Sequence, residues 1–419
     1  MTADELRPRS LRRNFSATAT GGLVYAACQF GMLSILARFT TPAEVGRYAL
    51  ALAISGPVFA FANLKLRDVL ATDAVDQFAF GQYLGQRIVT SAVAVVAIAA
   101  TALLLGLDEA TLVTVLAVTA FKAFESVIDL LYGAMQRREQ MHLIARSEVW
   151  RGVGGLLVFG ALVVWTRRVE VASIGLAVCT APQIATNTVR LKRLGISARP
   201  LFNRSTLRRL TWLALPLGVS IAAGSLRVNV PRYFLQAFEG SVALGIFAAL
   251  AYVLVLSGTV VGALGQAASP RLANLFAAGQ RARFTRTLTR LVALGAALGV
   301  AGVAGAALFG APALRLVFGA EYAAHADVLV VLMVAAAVQY SVVFLGTSVT
   351  AIRRFTVQMP ISIGVLIVVT AAAAVAVPPW GLMGGALAVL ASQVFAMLCY
   401  IGLYVRVVLP ALRPAGGEK

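Results

Sequence analysis

The chain alternates between long apolar segments and short connectors that carry most of its charge. About 20 consecutive apolar residues span a bilayer whose hydrocarbon core is about 30 Å thick, and segments of that length recur along the whole sequence. The pattern predicts twelve membrane-spanning helices. Their predicted bounds are 14–37, 47–63, 83–106, 110–133, 148–165, 171–189, 211–236, 242–265, 288–310, 327–350, 357–377 and 382–405.

Composition supports an integral membrane protein. Hydrophobic residues make up 60% of the 419 positions and charged residues only 13%, whereas soluble domains are about 45–50% apolar. Cys28, Cys179 and Cys399 all lie in apolar segments, which is typical of small core residues and not of a disulfide framework.

The net charge of +19 would favour nucleic-acid binding in a soluble protein. In a membrane protein the cytoplasmic loops collect Lys and Arg, which explains the charge without nucleic acid. With both termini cytoplasmic, 28 of the 36 basic residues lie on that side, among them Arg7, Arg9, Arg12 and Arg13 before the first span. The opposite side receives five: Arg38, Arg47, Arg167, Arg168 and Arg315.

Short sequence segments recur in the same order about 200 residues apart. Residues 45–50 resemble residues 244–249, and residues 174–176 resemble residues 380–382. The order predicts a duplicated unit: an N-terminal six-helix bundle with its linker (1–205) and a C-terminal six-helix bundle (206–419). An even number of spans gives both copies one orientation, so we expect two pseudo-symmetric bundles around a central cavity, an architecture suited to alternating access.

One group of charged residues inside a predicted span lies in the fourth segment. Lys122, Glu125 and Asp129 follow the spacing i, i+3, i+7, which places them within about 60° on one helical face. A charge inside the bilayer requires a partner, a wet cavity or a function. The group is therefore either an ion cluster that satisfies itself or a cation or proton site that drives transport.

A second group lies in the seventh segment, where Arg227, Asn229 and Arg232 occur without an acidic residue nearby in the sequence. On an ideal helix Asn229 and Arg232 share a face and Arg227 points elsewhere. Pro216 and Pro231 favour a broken helix, and broken helices at membrane depth line cavities.

Two interpretations of these arginines remain open. An unpaired guanidinium in a wet cleft suits a phosphate-bearing ligand, which Arg grips in a bidentate manner. Alternatively, Arg227 and Arg232 pair with Glu125 or Asp129.

The motifs of common enzymes are absent. None of the four lysines follows a glycine, so the chain contains no phosphate-binding Gly-Lys loop. His142 and His325 are predicted on opposite sides of the membrane and cannot share a metal. We therefore expect no catalytic residues, no metal and no cofactor.

Several segments resemble one known family, that of polysaccharide biosynthesis proteins or O-antigen and exopolysaccharide flippases. They are residues 41–50 (TPAEVGRYAL), 132–141 (YGAMQRREQM), 216–218 (PLG) and 265–273 (GQAASPRLA). The resemblance covers nearly the whole chain, although the matching segments are loose family patterns and not catalytic signatures. It implies a fold shared with multidrug exporters and lipid II flippases, with two six-helix bundles around a basic cavity. The twelve predicted spans differ from the fourteen usual in lipid II flippases.

The resemblance also implies a function. We expect a multi-pass transporter of a bacterial inner membrane that moves polyprenyl-diphosphate-linked oligosaccharide from the cytoplasmic to the periplasmic leaflet, with Arg227, Asn229 and Arg232 at the diphosphate. Expected partners are that lipid, membrane lipids and polysaccharide polymerase or assembly proteins. The alternatives are a cation-coupled multidrug exporter of the same superfamily and a scaffold that transports nothing.

Overall fold

The computed structural model describes the backbone of residues 11–72, 77–352 and 357–411, and the side chains of residues 20–71, 77–352 and 357–410. Within these ranges all regular structure is helical. The all-α membrane fold predicted from the sequence is confirmed. The side chains of Arg7, Arg9, Arg12 and Arg13 lie outside the described residues.

The chain divides into two compact units, Met1–Ser225 and Leu226–Lys419. The division falls inside a long helix that begins in the first unit and ends in the second. The proposed six-helix domains, 1–205 and 206–419, stay a prediction.

The first unit contains eight helices within the described ranges, together with the start of a ninth. They are α1 (Leu11–Phe39), α2 (Pro42–Ala62), α3 (Leu66–Thr72), α4 (Phe80–Leu104), α5 (Glu109–Arg137), α6 (Met141–Thr166), α7 (Val169–Thr180), α8 (Pro182–Arg193) and α9 (Arg204–Phe238). The short helices α3 and α8 continue the apolar segments of α2 and α7, so each pair forms one span.

The second unit contains the end of α9 and the remaining helices of the described chain. They are α10 (Gly240–Ala277), α11 (Arg281–Val317), α12 (Ala320–Ala323), α13 (Ala326–Ala351) and α14 (Gln358–Leu403), followed by a π-helical turn (Tyr404–Val408) and a last helical turn (Leu409–Ala411).

Helix α14 contains two of the predicted spans. It has 46 residues, and Gly381 interrupts it with φ 49° and ψ −123° directly after Pro378 and Pro379. A β-carbon on Gly384 would overlap the carbonyl oxygen of Ala376, although eight residues of straight helix separate two positions by about 12 Å. The chain therefore reverses at Gly381. Eleven described helical segments are long and apolar enough to span a membrane, and this reversal makes the last of them two.

Small residues allow α1 and α6 to pack closely. A β-carbon on Gly21 would lie 2.8 Å from the Cα of Ala145, and one on Gly152 would lie 3.3 Å from the Cβ of Cys28. Contacts of this kind let helix backbones approach each other in a membrane, where dispersion and not the hydrophobic effect drives packing. The glycines therefore fix the distance between these two helices.

The linker between α8 and α9 is held against the start of α4. The backbone N–H of Leu201 donates a hydrogen bond of 2.8 Å to the carbonyl oxygen of Gly81. A β-carbon on Gly85 would overlap the carbonyl oxygen of Leu201. The two glycines therefore give the linker backbone room to pair with α4.

Helix α9 is continuous over its 35 residues. The prediction that Pro216 and Pro231 break it was wrong. Proline removes one hydrogen-bond donor and usually kinks a helix, but transmembrane helices tolerate it because their surroundings compensate for the freed carbonyl.

Candidate functional site

The arginines of α9 line a small cavity within the second unit. This second-unit cavity has a volume of about 110 Å³. Its polar lining consists of Arg227, Arg232, Gln339, Ser392 and Gln393, and its apolar lining includes Phe247, Leu254 and Leu332. Helices α9, α10, α13 and α14 contribute these residues. Although Arg227 and Arg232 leave α9 in different directions, their long side chains reach one cavity.

Asn229 orients Arg232. The Nη1 of Arg232 donates a hydrogen bond of 3.0 Å to the Oδ1 of Asn229 one turn earlier, and Asn229 itself is buried. The Nε of Arg232 is buried without a hydrogen-bond partner in the described part of the chain, and so is the Oε1 of Gln393. The site thus holds a guanidinium donor and an amide acceptor that nothing in the described protein satisfies.

Within the described part of the second unit, no carboxylate compensates these two arginines. No ion pair of 4.0 Å or less inside that unit includes Arg227 or Arg232. Glu125 and Asp129 each pair with bases of the first unit, and the alternative expectation that Arg227 and Arg232 pair with them stays a prediction. The second-unit cavity is therefore electropositive.

A larger and more polar cavity lies within the first unit. This first-unit cavity has a volume of about 600 Å³, within the range of about 300–1,000 Å³ usual for small-molecule sites. Its lining contains four cationic residues (Lys65, Arg67, Lys122 and Arg151) and four acidic residues (Asp68, Glu125, Asp129 and Glu148). The three residues that the sequence grouped on α5 all face this space.

Glu125 is the acceptor at the centre of one cluster. Its Oε2 accepts a hydrogen bond of 2.7 Å from the Nζ of Lys122, and its Oε1 accepts one of 2.7 Å from the hydroxyl of Tyr25 on α1. The Nη2 of Arg151 on α6 lies 3.7 Å from Oε1, and its guanidinium lies 4.4 Å from the ring centre of Tyr25. Glu125 is therefore shared by two cations from two helices, Lys122 on α5 and Arg151 on α6.

Asp129 is the acceptor of the other cluster. The Nη1 of Arg67 on α3 donates a hydrogen bond of 3.0 Å to its Oδ1, and the Nη2 of Arg87 on α4 lies 3.6 Å from its Oδ2. Arg87 has no exposed surface and also donates to Asn63 and to Ser126, the latter at 3.2 Å. The group of Lys122, Glu125 and Asp129 thus belongs to an ion network that joins five helices.

Sequence reasoning missed the other members of this network. Arg87 and Arg151 lie near the ends of the predicted spans 83–106 and 148–165 and belong to the basic residues counted on the cytoplasmic side, but they are buried inside α4 and α6, at 0% and 7% exposed. Arg67 and Glu148 were not singled out. The sequence did contain a signal for Glu148 and Arg151, because these two residues follow the i, i+3 spacing at the start of an apolar segment.

The described residues contain no group of three or more His, Cys, Asp or Glu side chains that could hold a metal ion. Three of the four carboxylates of the first-unit cavity pair with guanidinium or ammonium groups.

Comparison with protein families decides what kind of chain this is. The model of the family described as "Polysaccharide biosynthesis protein" matches residues 11–276. The chain belongs to this family. The family predicted from the sequence is therefore confirmed. Capsular polysaccharide biosynthesis protein CapF of Staphylococcus aureus, a curated relative, is 28% identical over 397 residues, which cover 94% of this chain and 99% of CapF.

Solved structures show the fold of this polysaccharide biosynthesis family member. The inward closed conformation of the lipid II flippase MurJ matches with a TM-score of 0.76 at 11% identity, covering 94% of this chain and 88% of MurJ. The inward-facing conformation of a multidrug resistance MATE family transporter of the MOP superfamily matches with a TM-score of 0.72 at 12% identity, covering 96% of both chains. A point mutant of the Vibrio cholerae MATE transporter VcmN matches with a TM-score of 0.62 at 13% identity, covering 97% of this chain and 98% of VcmN. The chain is a membrane protein with the fold of these transporters.

Proposed function

We propose that this protein moves a lipid-diphosphate-linked oligosaccharide from the cytoplasmic to the periplasmic leaflet of a bacterial inner membrane during surface polysaccharide assembly. Membership of the polysaccharide biosynthesis family and the transporter fold support the class of function. The observation that carries the substrate chemistry is the pair of arginines in the second-unit cavity, which no carboxylate of the described part of that unit neutralises.

Arg227, Asn229 and Arg232 hold the diphosphate in this proposal. Two cations in a membrane are costly unless they meet an anion, and a guanidinium matches phosphate oxygens with two parallel hydrogen bonds. The free Nε of Arg232 supplies a donor for that purpose. At about 110 Å³ the cavity suits charged phosphate groups and is too small for an oligosaccharide.

Transport of the lipid-linked glycan requires no covalent step. The substrate enters and leaves with the same bonds, so the protein acts by binding and release and is not an enzyme. Both chain termini are cytoplasmic in this proposal, and the partners are the polyprenyl-diphosphate glycan, the surrounding lipids and polysaccharide assembly proteins.

A double substitution, Arg227→Ala with Arg232→Ala, tests the proposal in a strain that lacks the gene. We expect surface polysaccharide to fall to the level of the deletion strain while lipid-linked oligosaccharide accumulates on the cytoplasmic leaflet. The matched control is Arg281→Ala with Arg283→Ala, which removes the same charge from two exposed positions of α11 and should leave polysaccharide normal.

Near-normal polysaccharide from the first double variant would defeat the site assignment and would favour a scaffold role. A drug efflux assay on the same strains separates the remaining alternative. Rescue of drug resistance without rescue of polysaccharide would replace this proposal by the cation-coupled multidrug exporter.

A further inference from the structure

One carboxylate of the first-unit cavity stands outside the ion pairs. Glu148 lies on α6 and lines the cavity. Its Oε2 is buried without a hydrogen-bond partner. In the described part of the chain, no Lys, Arg or His nitrogen lies within 4.0 Å of it. The same oxygen points toward α1, where a β-carbon on Gly21 would lie 3.0 Å away.

The other three carboxylates of the cavity each have a fixed cation. Glu125 lies 2.7 Å from Lys122, Asp129 lies 3.0 Å from Arg67, and Asp68 lies 3.1 Å from Lys65. An ion that binds one of them must compete with an ammonium or guanidinium group that the fold already holds in place. An ion that binds Glu148 displaces nothing.

The charged groups around Glu148 are of both signs. Those that interact with it electrostatically are Arg151 on α6, Arg67 on α3, and Asp129 and Glu125 on α5, and the titratable hydroxyl of Tyr132 on α5 interacts with it as well. Their attraction and repulsion offset each other in part, and α1 contributes no charged group among these described neighbours. Burying a carboxylate without a partner costs free energy, and a bound cation removes that cost.

The geometry favours a proton over a metal ion. Hard metal cations take several oxygen ligands, and the described residues contain no cluster of three His, Cys, Asp or Glu side chains. A proton needs one oxygen. The polar cavity of about 600 Å³ gives it a path to Glu148.

We infer that Glu148 is the proton-binding residue of the first-unit cavity and that its protonation favours the substrate-bound state. The second clause rests on the proposed function. With Glu148 ionised the lining carries four positive and four negative side chains. A proton on Glu148 makes the net charge of this group more positive by one, which attracts an anionic substrate. By linkage the anion then favours the proton to the same degree.

Infrared difference spectroscopy of the purified full-length protein tests the first clause without any substrate. On acidification the wild type should gain the C=O stretching band of a protonated carboxylic acid, and in Glu148→Gln this band should be weaker by the contribution of one carboxylic acid. The matched control is Glu170→Gln, which removes a buried carboxylate that Arg168 pairs at 2.6 Å outside the cavity and should keep the band. An identical band in Glu148→Gln, or none in the wild type, overturns the inference.

Binding of farnesyl diphosphate, measured by calorimetry from acidic to alkaline pH, tests the second clause. The wild type should lose affinity relative to Glu148→Gln as the pH rises, by about 5- to 150-fold, the usual size of coupling between two sites. Glu148→Asp, which keeps a carboxylate, should retain the pH dependence of the wild type. The comparison between variants removes the titration of the ligand itself.

Parallel pH profiles for the wild type and Glu148→Gln overturn the linkage. Absence of farnesyl diphosphate binding in every variant counts against the proposed function instead, and the infrared result then still decides whether Glu148 binds the proton.

Discussion

The first-unit cavity and the second-unit cavity differ in how their charged side chains are compensated. In the first unit, eight charged side chains line about 600 Å³, and most of them are paired at 2.7–3.7 Å. In the second unit, two arginines line about 110 Å³ and no carboxylate of the described part of that unit reaches them. A compensated network stabilises a fold, whereas uncompensated charge in a membrane is stable only with a ligand or water. The comparison therefore separates charges that are paired within the first unit from the two arginines of the second unit that we propose bind a substrate.

The largest effect should come from breaking the first-unit network at its centre. Glu125→Gln leaves Lys122 and the buried Arg151 without their shared carboxylate. We expect a loss of about 3 kcal/mol of folding free energy, the lower end of the range for breaking a buried pair, because Lys122 keeps some exposure. The midpoint of thermal unfolding in detergent measures it. Adding Lys122→Met should recover part of the loss, and an unchanged midpoint in Glu125→Gln would contradict the comparison.

Removing a charge from the second-unit cavity should affect export and not stability. Arg232→Met removes a cation that no described carboxylate of the second unit pairs, so thermal stability should stay equal or rise. Polysaccharide export should fall at least about 10-fold, which corresponds to about 1.4 kcal/mol of lost binding. Quantification of surface polysaccharide beside the thermal midpoint checks both parts. A stability loss as large as that of Glu125→Gln would show that both cavities hold structural charge.

A charge-conserving change sharpens the second half of the comparison. Arg232→Lys keeps the positive charge but loses the bidentate geometry and the Nε donor. We expect export between that of the wild type and that of Arg232→Met, with weaker binding of farnesyl diphosphate by calorimetry. Binding equal to that of the wild type would mean that the site senses charge alone.

The smallest effect should come from the end of α5 that lies away from the network. Asp108 caps this helix, and its carboxylate accepts hydrogen bonds from the hydroxyl of Thr111 at 2.5 Å and from its backbone N–H at 3.2 Å. Asp108→Ala should cost about 1 kcal/mol, as other N-cap changes do, and leave export normal. Loss of export at normal protein levels would place this end of α5 in the transport machinery.

The pH dependence of this cap has a defined sign. The hydrogen bonds from Thr111 lower the pKa of Asp108 below its ordinary value of 3.8. Its contribution is therefore present above that value and is lost as the pH falls through the lowered pKa. The difference in thermal midpoint between the wild type and Asp108→Ala should accordingly shrink only in strong acid.

The spans were predictable from the sequence because hydrophobicity over about 20 residues is a local property. All twelve predicted segments lie within described helices or overlap them, including the pair that Gly381 separates in α14. The family was also predictable, because short segments such as residues 41–50 and 132–141 resemble that family and occur in order along the chain.

The ion network was not predictable to the same extent. The i, i+3, i+7 pattern on α5 placed Lys122, Glu125 and Asp129 on one face, but their partners come from other helices. Arg87 and Arg151 lie near the ends of apolar segments, where a count of basic residues assigns them to loops. Only tertiary packing shows that they turn inward, because a long side chain reaches a carboxylate from several positions.

The reversal at Gly381 has a consequence for topology. Its φ of 49° with ψ −123° suits a residue without a β-carbon, and Gly384 needs the same freedom from side-chain bulk against Ala376. A straight helix of 46 residues would measure about 69 Å, more than twice the hydrocarbon thickness. One glycine thus sets the parity of membrane crossings, and with it the compartment into which the carboxyl end of the polypeptide is delivered.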